Sequence, residues 1–273
     1  MEGIGLLTAL REEDATMLSL DKARFAEWCS RCQFPAVETL NHWDRGHELV
    51  GRTDRLPDEI VIKPNSGFRG HGIALATRSD QKWHFSGSSY SEAEFTAQLS
   101  ELSRLGGPII VQPRLTPHPD LAELTSPAAS FLRIVTAMCV SGSAEVISAC
   151  LDLQPSGQFA VPVDYRVQRL VNLDSGRTYV DADGITPDWS GQVSPDDVAI
   201  PDWLEMCALV CQAHEAFPGR PAVLGWDVAA TPEGPVLIEV NTGVGFRFQQ
   251  RASATPVCDG RLGEIIDEWL VAR

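Results

Sequence analysis

A pair of apolar segments near the C-terminus limits the possible folds more than any other part of the sequence. Residues 222–229 and 235–240 are rich in apolar and β-branched side chains. The turn Thr231-Pro-Glu-Gly234 between them is typical of a tight connection. We therefore expect two neighbouring antiparallel strands that form a hairpin.

This hairpin carries three side chains with oxygen atoms that can bind a metal. Asp227 lies on its first strand, and Glu239 and Asn241 lie on or just past the second. Side chains alternate along a strand, so positions 239 and 241 point to the same side, and closing the turn brings Asp227 near them. Carboxylate and amide oxygens suit magnesium, which shares its coordination with substrate phosphates. The pattern predicts a site for two Mg²⁺ ions; the alternative is a surface hairpin with solvated acidic side chains.

A second candidate site is the glycine-rich segment Ile60–Gly72. Lys63 ends an apolar strand, where an unpaired ammonium group is costly unless it meets an anion. The glycines that follow let the backbone approach a ligand closely, so the loop can hold phosphate oxygens. Its candidate contacts are Ser66, Gly67, Gly70, His71 and Gly72. The loop is not a Walker motif, since no Gly-Lys-Ser/Thr follows. The alternatives are a flexible hairpin loop and, for His71, a solvated histidine.

The rest of the pattern mixes helices and strands without strict alternation. We expect helices near 21–31, 91–104, 202–217 and 261–271, and further strands near 59–63, 73–76, 108–112, 131–140 and 144–152. This mixture predicts an α+β fold of two lobes that meet near residue 112. We divide the chain into a reduced N-terminal helical segment (1–57), a small lobe with the glycine-rich loop (58–115) and a C-terminal lobe with the metal-binding hairpin (116–273). Residues 154–200 give no clear pattern.

Composition excludes several classes of function. Lys and Arg number 22 and Asp and Glu 37, so the formal charge is 22 − 37 = −15, which opposes non-specific nucleic-acid binding. No apolar run approaches the roughly 20 residues of a membrane span, and no secretory signal is visible, so we expect a cytoplasmic protein. The seven cysteines are scattered. Cys29-x-x-Cys32 allows a redox or zinc site, but we favour reduced thiols packed as small apolar groups.

The two candidate sites together resemble the ATP-grasp superfamily in their order and separation. The segments VIKPNSGFRGHGI, VQPRL, SFLRIVTA and GWDVAATPEGPVLIEVN are similar to its sugar-transfer-associated branch, which is related to α-L-glutamate ligases. The resemblance covers residues 20–251. It implies an ATP-grasp fold with ATP in the cleft between two α+β lobes, and Mg²⁺, or Mn²⁺ in its place, as the metal.

The resemblance also implies roles for individual residues. Lys22 and Lys63 correspond to the two lysines that bind ATP, and Arg133 to the arginine that contacts the transferred phosphate. Gln112, Arg114 and Leu115 correspond to the segment between the lobes that contacts adenine, and Asp120 is a candidate for the ribose hydroxyls. Gln112 stands where many relatives carry glutamate. The alternatives are a solvated lysine for Lys22 and an ordinary salt bridge for Arg133.

The activity implied by the resemblance is that of a carboxylate–amine ligase. ATP would phosphorylate a carboxylate to an acyl phosphate, and an amine would attack it to give an amide, ADP and phosphate. Arg247 and Gln249 are candidates for binding the acceptor, with a structural ion pair as the alternative for Arg247. Only 21 residues precede Lys22, so the N-terminal α/β domain that helps to bind the acceptor in such ligases is expected to be missing or greatly reduced. A homodimer or a partner chain is a possible source of the rest of the acceptor site. A small-molecule kinase and a catalytically silent nucleotide-binding partner remain alternatives.

Overall fold

Two antiparallel sheets with packed helices make up the structure. The computed structural model describes residues 13–51, 56–67, 71–122, 124, 131–153, 167–179, 197–244, 246, 250 and 256–272. The helices in these ranges are α1 (Glu13–Leu20), α2 (Lys22–Arg31), α3 (Glu92–Gly106), α4 (Trp203–Ala216) and α5 (Arg261–Val271). The expected α+β fold and the four helices predicted from the sequence are confirmed.

The first sheet has seven strands. They are β1 (Asn41–Asp44), β2 (His47–Gly51), β3 (Glu59–Pro64), β4 (Ala74–Ser79), β5 (Lys82–Phe85), β6 (Ser88–Tyr90) and β7 (Ile109–Pro113). Their order in the sheet is β2-β1-β7-β3-β4-β5-β6. The helical assignment of residues 1–57 is wrong over 41–51, where β1 and β2 extend this sheet. Both strands are rich in polar residues, so they lack the alternation of apolar and polar residues by which strands are recognised in a sequence. The division of the chain into lobes otherwise stays a prediction.

Helix α3 covers one face of this sheet and leaves the other face to the cleft. Its first turn is closed by a capping box, in which Ser91 and Glu94 satisfy each other's backbone N–H groups. Phe95 and Leu99 then pack against Ile60 and Ile62 of β3. Because side chains alternate along β3, Lys63 points away from α3.

The second sheet has six strands. They are β8 (Phe131–Met138), β9 (Ala144–Leu153), β10 (Val167–Val171), β11 (Thr178–Tyr179), β12 (Val223–Thr231) and β13 (Gly234–Asn241). Their order is β11-β10-β9-β8-β12-β13, with antiparallel neighbours. Both hairpins predicted from the sequence, β8–β9 and β12–β13, are confirmed.

The two faces of the second sheet pack against different helices. One face forms the main core with α2 and α4, where Trp28 and Met206 join Leu132 and Trp226. On the other face, α5 packs Leu262 and Ile265 against Val135 and Val223. Next to the part covered by α5, the same face carries Arg133 and Asp227, since residues two apart on a strand share a side.

Residues 35–40 connect the two sheets. Leu237 of β13 exchanges backbone hydrogen bonds with Pro35 and Val37, and Leu40 donates to Val111 of β7. The segment therefore ties the edge of the second sheet to the middle of the first. Among the described helices, none combines the length and the apolar character that a membrane span requires.

Candidate functional site

The register of β8, β12 and β13 places three charged side chains in one row. Asp227 is the Cα partner of both Arg133 and Glu239. The Arg133 guanidinium pairs with Asp227, with 2.5 Å between Nε and Oδ1, and its Nη2 donates to Oδ2 at 3.1 Å. Asn241 donates from Nδ2 to Glu239 Oε1 at 3.3 Å, which turns its amide oxygen away from that contact. The three metal candidates of the sequence thus lie side by side.

Asp227 and Glu239 are two neighbouring buried acids that shift each other's pKa. Burial raises the pKa of Asp227 well above its usual value, and the neighbouring Glu239 adds to the effect. Burial acts the same way on Glu239, but Lys22, Lys63 and smaller effects of Asp227 and Arg133 together hold the pKa of Glu239 below its usual value. Asp227 Oδ1 is buried and accepts no aligned hydrogen bond, even from the Nε of Arg133 beside it.

A divalent cation fits this arrangement. It would satisfy the Oδ1 atom of Asp227 and favour the ionised form of this acid. In the described part of the chain, no three His, Cys, Asp or Glu side chains gather as a metal site. Here two carboxylates lie next to the side chain of Asn241, whose amide would have to turn its oxygen toward the ion, and such a set leaves coordination positions for phosphate oxygens and water.

Lys63 lies across the cleft from this row. It is only 6% exposed. Burial lowers its pKa to about 8, and Lys22 contributes to the decrease, while Glu239 and Asp227 oppose it. The ammonium group of β3 and the carboxylates of the second sheet are therefore close enough to influence each other's charge. This is the convergence that the sequence predicts for a triphosphate site.

Lys22 lies between the glycine-rich loop and the metal candidates. Its Nζ donates to the carbonyl oxygen of Gly67 at 3.2 Å and lies 3.7 Å from Glu239 Oε2. The side chain is 12% exposed, so it is not the freely solvated lysine of the alternative interpretation. It contacts one residue from each lobe.

Sequence reasoning missed Asn65, which is bonded to the first residues of α2. Asn65 is buried, and its side-chain oxygen accepts from the backbone N–H of Ala23 at 2.9 Å. Its amide nitrogen donates to Asp21 Oδ1 at 3.0 Å. In the sequence, Pro64-Asn-Ser-Gly67 resembles an ordinary turn, so nothing distinguished Asn65 from a turn residue.

The remaining loop candidates lie around this junction. Ser66, Gly67, His71 and Gly72 are exposed. Gly72 has φ +74°, and a Cβ atom there would lie 2.9 Å from Pro64 Cγ, so the loop conformation requires glycine. Gly70 lies outside the described residues. No contact in the described residues tests whether this loop holds phosphate, and that role stays a prediction.

The candidate adenine and acceptor residues are less closely assembled. Gln112 is buried and donates from Nε2 to the Val37 carbonyl oxygen at 3.4 Å. Arg114 pairs with Glu59 at 2.8 Å, while Leu115 is half-buried. The side chain of Asp120 is 73% exposed. Arg247 and Gln249 lie outside the described residues, so their roles stay predictions.

Asp152 is a second residue that sequence reasoning missed. It is buried on β9, next to Cys150, the Cα partner of Arg133, and its Oδ2 accepts from Gln168 at 2.8 Å. Like Lys63, Asp152 is a charged residue at the end of an apolar strand, and this pattern could have identified it from the sequence. Burial also raises the pKa of the neighbouring Cys150 thiol, which keeps it protonated and unreactive.

Cys29 and Cys32 form no disulfide. Burial raises the pKa of Cys29 to about 12, with a smaller effect from Cys32. A thiol that stays protonated at neutral pH is neither a good nucleophile nor a good zinc ligand. This agrees with the interpretation of Cys29 as a packed apolar group.

Comparison with protein families gives one match, to the family described as "Sugar-transfer associated ATP-grasp", over residues 10–260. No curated protein sequence is similar enough to count as a match.

Among solved structures, D-cycloserine synthetase DcsG is similar at 16% identity and a TM-score of 0.53, over 98% of this chain and 78% of that one. D-alanine–D-alanine ligase from Bacillus anthracis, complexed with ATP, is similar at 12% identity and a TM-score of 0.52, over 99% and 74%. The ATP-grasp ligase PsnB, complexed with a minimal precursor, has 14% identity and a TM-score of 0.51. That match covers 94% of this chain, which spans 62% of the length of PsnB. At these identities the likeness concerns the fold.

Proposed function

The chain belongs to the sugar-transfer-associated ATP-grasp family, and we propose that it is an ATP-dependent ligase that joins a carboxylate to an amine. In this proposal ATP transfers its γ-phosphate to the carboxylate. The amine nitrogen then attacks the acyl carbon of the acyl phosphate and loses a proton, and the C–O bond to phosphate breaks. The products are an amide, ADP and inorganic phosphate.

The observation that carries the proposal is the convergence of charges from two sheets on one cleft. Lys63 comes from the first sheet, Arg133, Asp227 and Glu239 come from the second, and Lys22 bridges them. In phosphoryl transfer the protein mainly positions the triphosphate and neutralises its charge, and these side chains can do both.

Each side chain has a distinct part in the proposal. Lys22 and Lys63 hold phosphate oxygens, and a Lys63 pKa of about 8 keeps most of the ammonium charged at neutral pH. Arg133, fixed by Asp227, presents its guanidinium to the transferred phosphate. Asp227, Glu239 and Asn241 would hold Mg²⁺, which supplies Lewis-acid stabilisation of the phosphates when bound.

The outer parts of the site complete the proposal. We assign the backbone of Gln112 through Leu115 to adenine, Asp120 to ribose, and Arg247 and Gln249 to the acceptor. The D-alanine–D-alanine ligase, DcsG and PsnB resemble this chain in fold, and ligation is the activity named for the first and the last of them. This supports a ligase over a kinase as the leading assignment.

The test is an assay of ADP release by the purified protein with ATP, Mg²⁺ and pools of carboxylates and amines. A ligase releases ADP only when a carboxylate is present, and hydroxylamine in place of the amine traps the acyl phosphate as a hydroxamate. Phosphate that remains on the acceptor would instead identify a kinase. Binding of ATP without turnover on any pool would identify a silent nucleotide-binding protein.

Glu239→Gln provides the matched test of the site. It keeps the shape of the side chain but removes the charge that binds the metal, so we expect turnover to fall by at least about 10²-fold. Glu233→Gln changes an exposed residue in the turn of the same hairpin and is expected to leave turnover unchanged. Full activity in the Glu239 variant would refute the metal assignment.

A further inference from the structure

The N-terminus of α2 points into the junction between the two lobes, where a free helix N-terminus would attract phosphate. Here its backbone N–H groups already have partners within the protein. Lys22 N donates to the Asn65 carbonyl oxygen at 3.1 Å, Ala23 N to Asn65 Oδ1 at 2.9 Å, and Arg24 N to Asp21 Oδ1 at 3.0 Å. Phe25 N donates to the Asp21 carbonyl oxygen at 3.0 Å. The first backbone N–H groups of α2 are therefore already hydrogen-bonded within the protein. An anion at this helix N-terminus would instead bind the Lys22 side chain.

Asn65 connects two structural units that would otherwise be independent at this point. Its own N–H donates to the Pro108 carbonyl oxygen at 2.8 Å, beside β7, which fixes it to the first sheet. Helix α2 is fixed to the second sheet instead, because Phe25, Trp28 and Cys29 lie in the main core. The bonds from Asn65 to Asp21, Lys22 and Ala23 thus join a loop of one lobe to a helix of the other.

This connection sets the separation of two cations. Lys63 lies two residues before Asn65 on the same strand end, and Lys22 lies at the first turn of the helix that Asn65 binds. Repulsion between the two ammonium groups is already present, since Lys22 helps to lower the pKa of Lys63. Glu239, 3.7 Å from the Lys22 Nζ, offsets part of this repulsion. The bonds of Asn65 fix the backbone positions from which the two lysine side chains extend.

We propose that Asn65 is a positioning residue for the ATP-binding lysines: through its bonds to Asp21 and Ala23 it holds Lys22 at a fixed distance from Lys63. The inference rests on the proposed function, since it gives both lysines a role on the phosphates. Asn65 itself touches no phosphate in this arrangement and acts through Lys22.

A double-mutant cycle on ATP binding tests the inference. The dissociation constant of Mg²⁺–ATP is measured by calorimetry for the wild type, Asn65→Ala, Lys22→Met and the double variant. We expect Asn65→Ala to weaken binding about tenfold. In the Lys22→Met background the same change should have no further effect, because the side chain that it positions is gone. Tenfold weakening in both backgrounds would show a merely structural role and overturn the inference.

Two further variants keep the test decisive if Asn65→Ala folds poorly. In Asn65→Asp the donor to Asp21 is lost and two carboxylates meet, so ATP binding should weaken. Adding Asp21→Asn restores a donor–acceptor pair in the reverse direction and keeps the acceptor for Ala23, so binding should recover. If the reversed pair binds ATP as weakly as Asn65→Asp alone, the inference is wrong.

A matched control separates this effect from a general loss of hydrogen bonds. Asn172 accepts from the backbone N–H groups of Asp174 and Ser175 in an exposed turn of the second sheet. Asn172→Ala removes the same side chain and should leave ATP binding unchanged. A wild-type protein that binds no Mg²⁺–ATP would refute the proposed function instead, so the two failures are distinguishable.

Discussion

A buried histidine in the second lobe leads to a specific prediction about acid stability. His214 of α4 is completely buried, and its Nε2 lies 2.7 Å from the carbonyl oxygen of Pro221. A carbonyl only accepts, so Nε2 carries the proton. On the other side, Trp226 donates to Thr136 Oγ1 at 2.8 Å, and the Thr136 hydroxyl lies 2.7 Å from His214 Nδ1. The hydroxyl therefore donates to Nδ1, and the chain of bonds requires a neutral ring.

The magnitude follows from the shift in the ring's pKa. Burial lowers the pKa of His214 from 6.5 to about 4, although Pro221 and Glu215 oppose the change. Between these two values the unfolded chain binds a proton that the folded protein does not. The free energy of unfolding therefore falls as the pH drops from about 6.5 to about 4, at up to about 1.4 kcal/mol per pH unit, or about 3 kcal/mol in total.

Urea denaturation near pH 7 and near pH 4.5 measures this contribution. In His214→Gln the amide donates and accepts without titrating, so the variant should lose about 2–3 kcal/mol less stability over this range than the wild type. Comparing the two proteins cancels the carboxylates that they share. His47→Gln, at an exposed histidine of β2, should follow the wild type. Parallel losses in the wild type and the His214 variant would refute the argument.

Three further predictions concern the site and the packing around it. Burial lowers the pKa of Lys63 to about 8. The value of kcat/KM for ATP should therefore decline above about pH 8, as the Lys63 ammonium of the free enzyme deprotonates. In Lys63→Arg the same pH–rate profile should show the decline at higher pH. Gly176→Ala should destabilise the protein by about 3 kcal/mol in urea denaturation, because the added Cβ would lie 2.5 Å from the Trp203 ring. The control Gly87→Ala, also at positive φ but in open space, should cost about 1 kcal/mol. Arg261→Ala removes the ion pair to Glu145 that fixes α5 to β9. It also removes the pairs to Glu264 and Glu268 within α5, so Tm should fall, and the difference from the wild type should shrink at high salt.

The parts of the fold that follow from the sequence are those with long apolar or amphipathic patterns. The β12–β13 hairpin and helix α5 were recognisable because their periodicity is continuous, and the hairpin also has turn residues between its strands. The strands of residues 41–51 were not, because they are short and rich in polar side chains. β2 is exposed along its whole length, so burial imposes no apolar alternation on it.

The same distinction applies to the candidate site. Asp227, Glu239 and Lys63 could be found because charges within apolar strands contradict their surroundings. Asn65 could not, because its importance arises from contacts with Asp21 and Ala23, which are more than 40 residues away in the chain. Such a role is set by tertiary geometry, and a turn-forming residue in a loop gives no local sign of it.

The segment 35–40 also restrains the movement of one sheet relative to the other. It is bonded at Leu237 to the strand that bears Glu239 and Asn241, and at Val111 to the centre of the first sheet. These bonds keep the separation of the two sheets nearly constant along this side. The bonds from Asn65 to the start of α2 join the two sheets at a second place. A rotation of one sheet against the other therefore has to break one of these two sets of bonds.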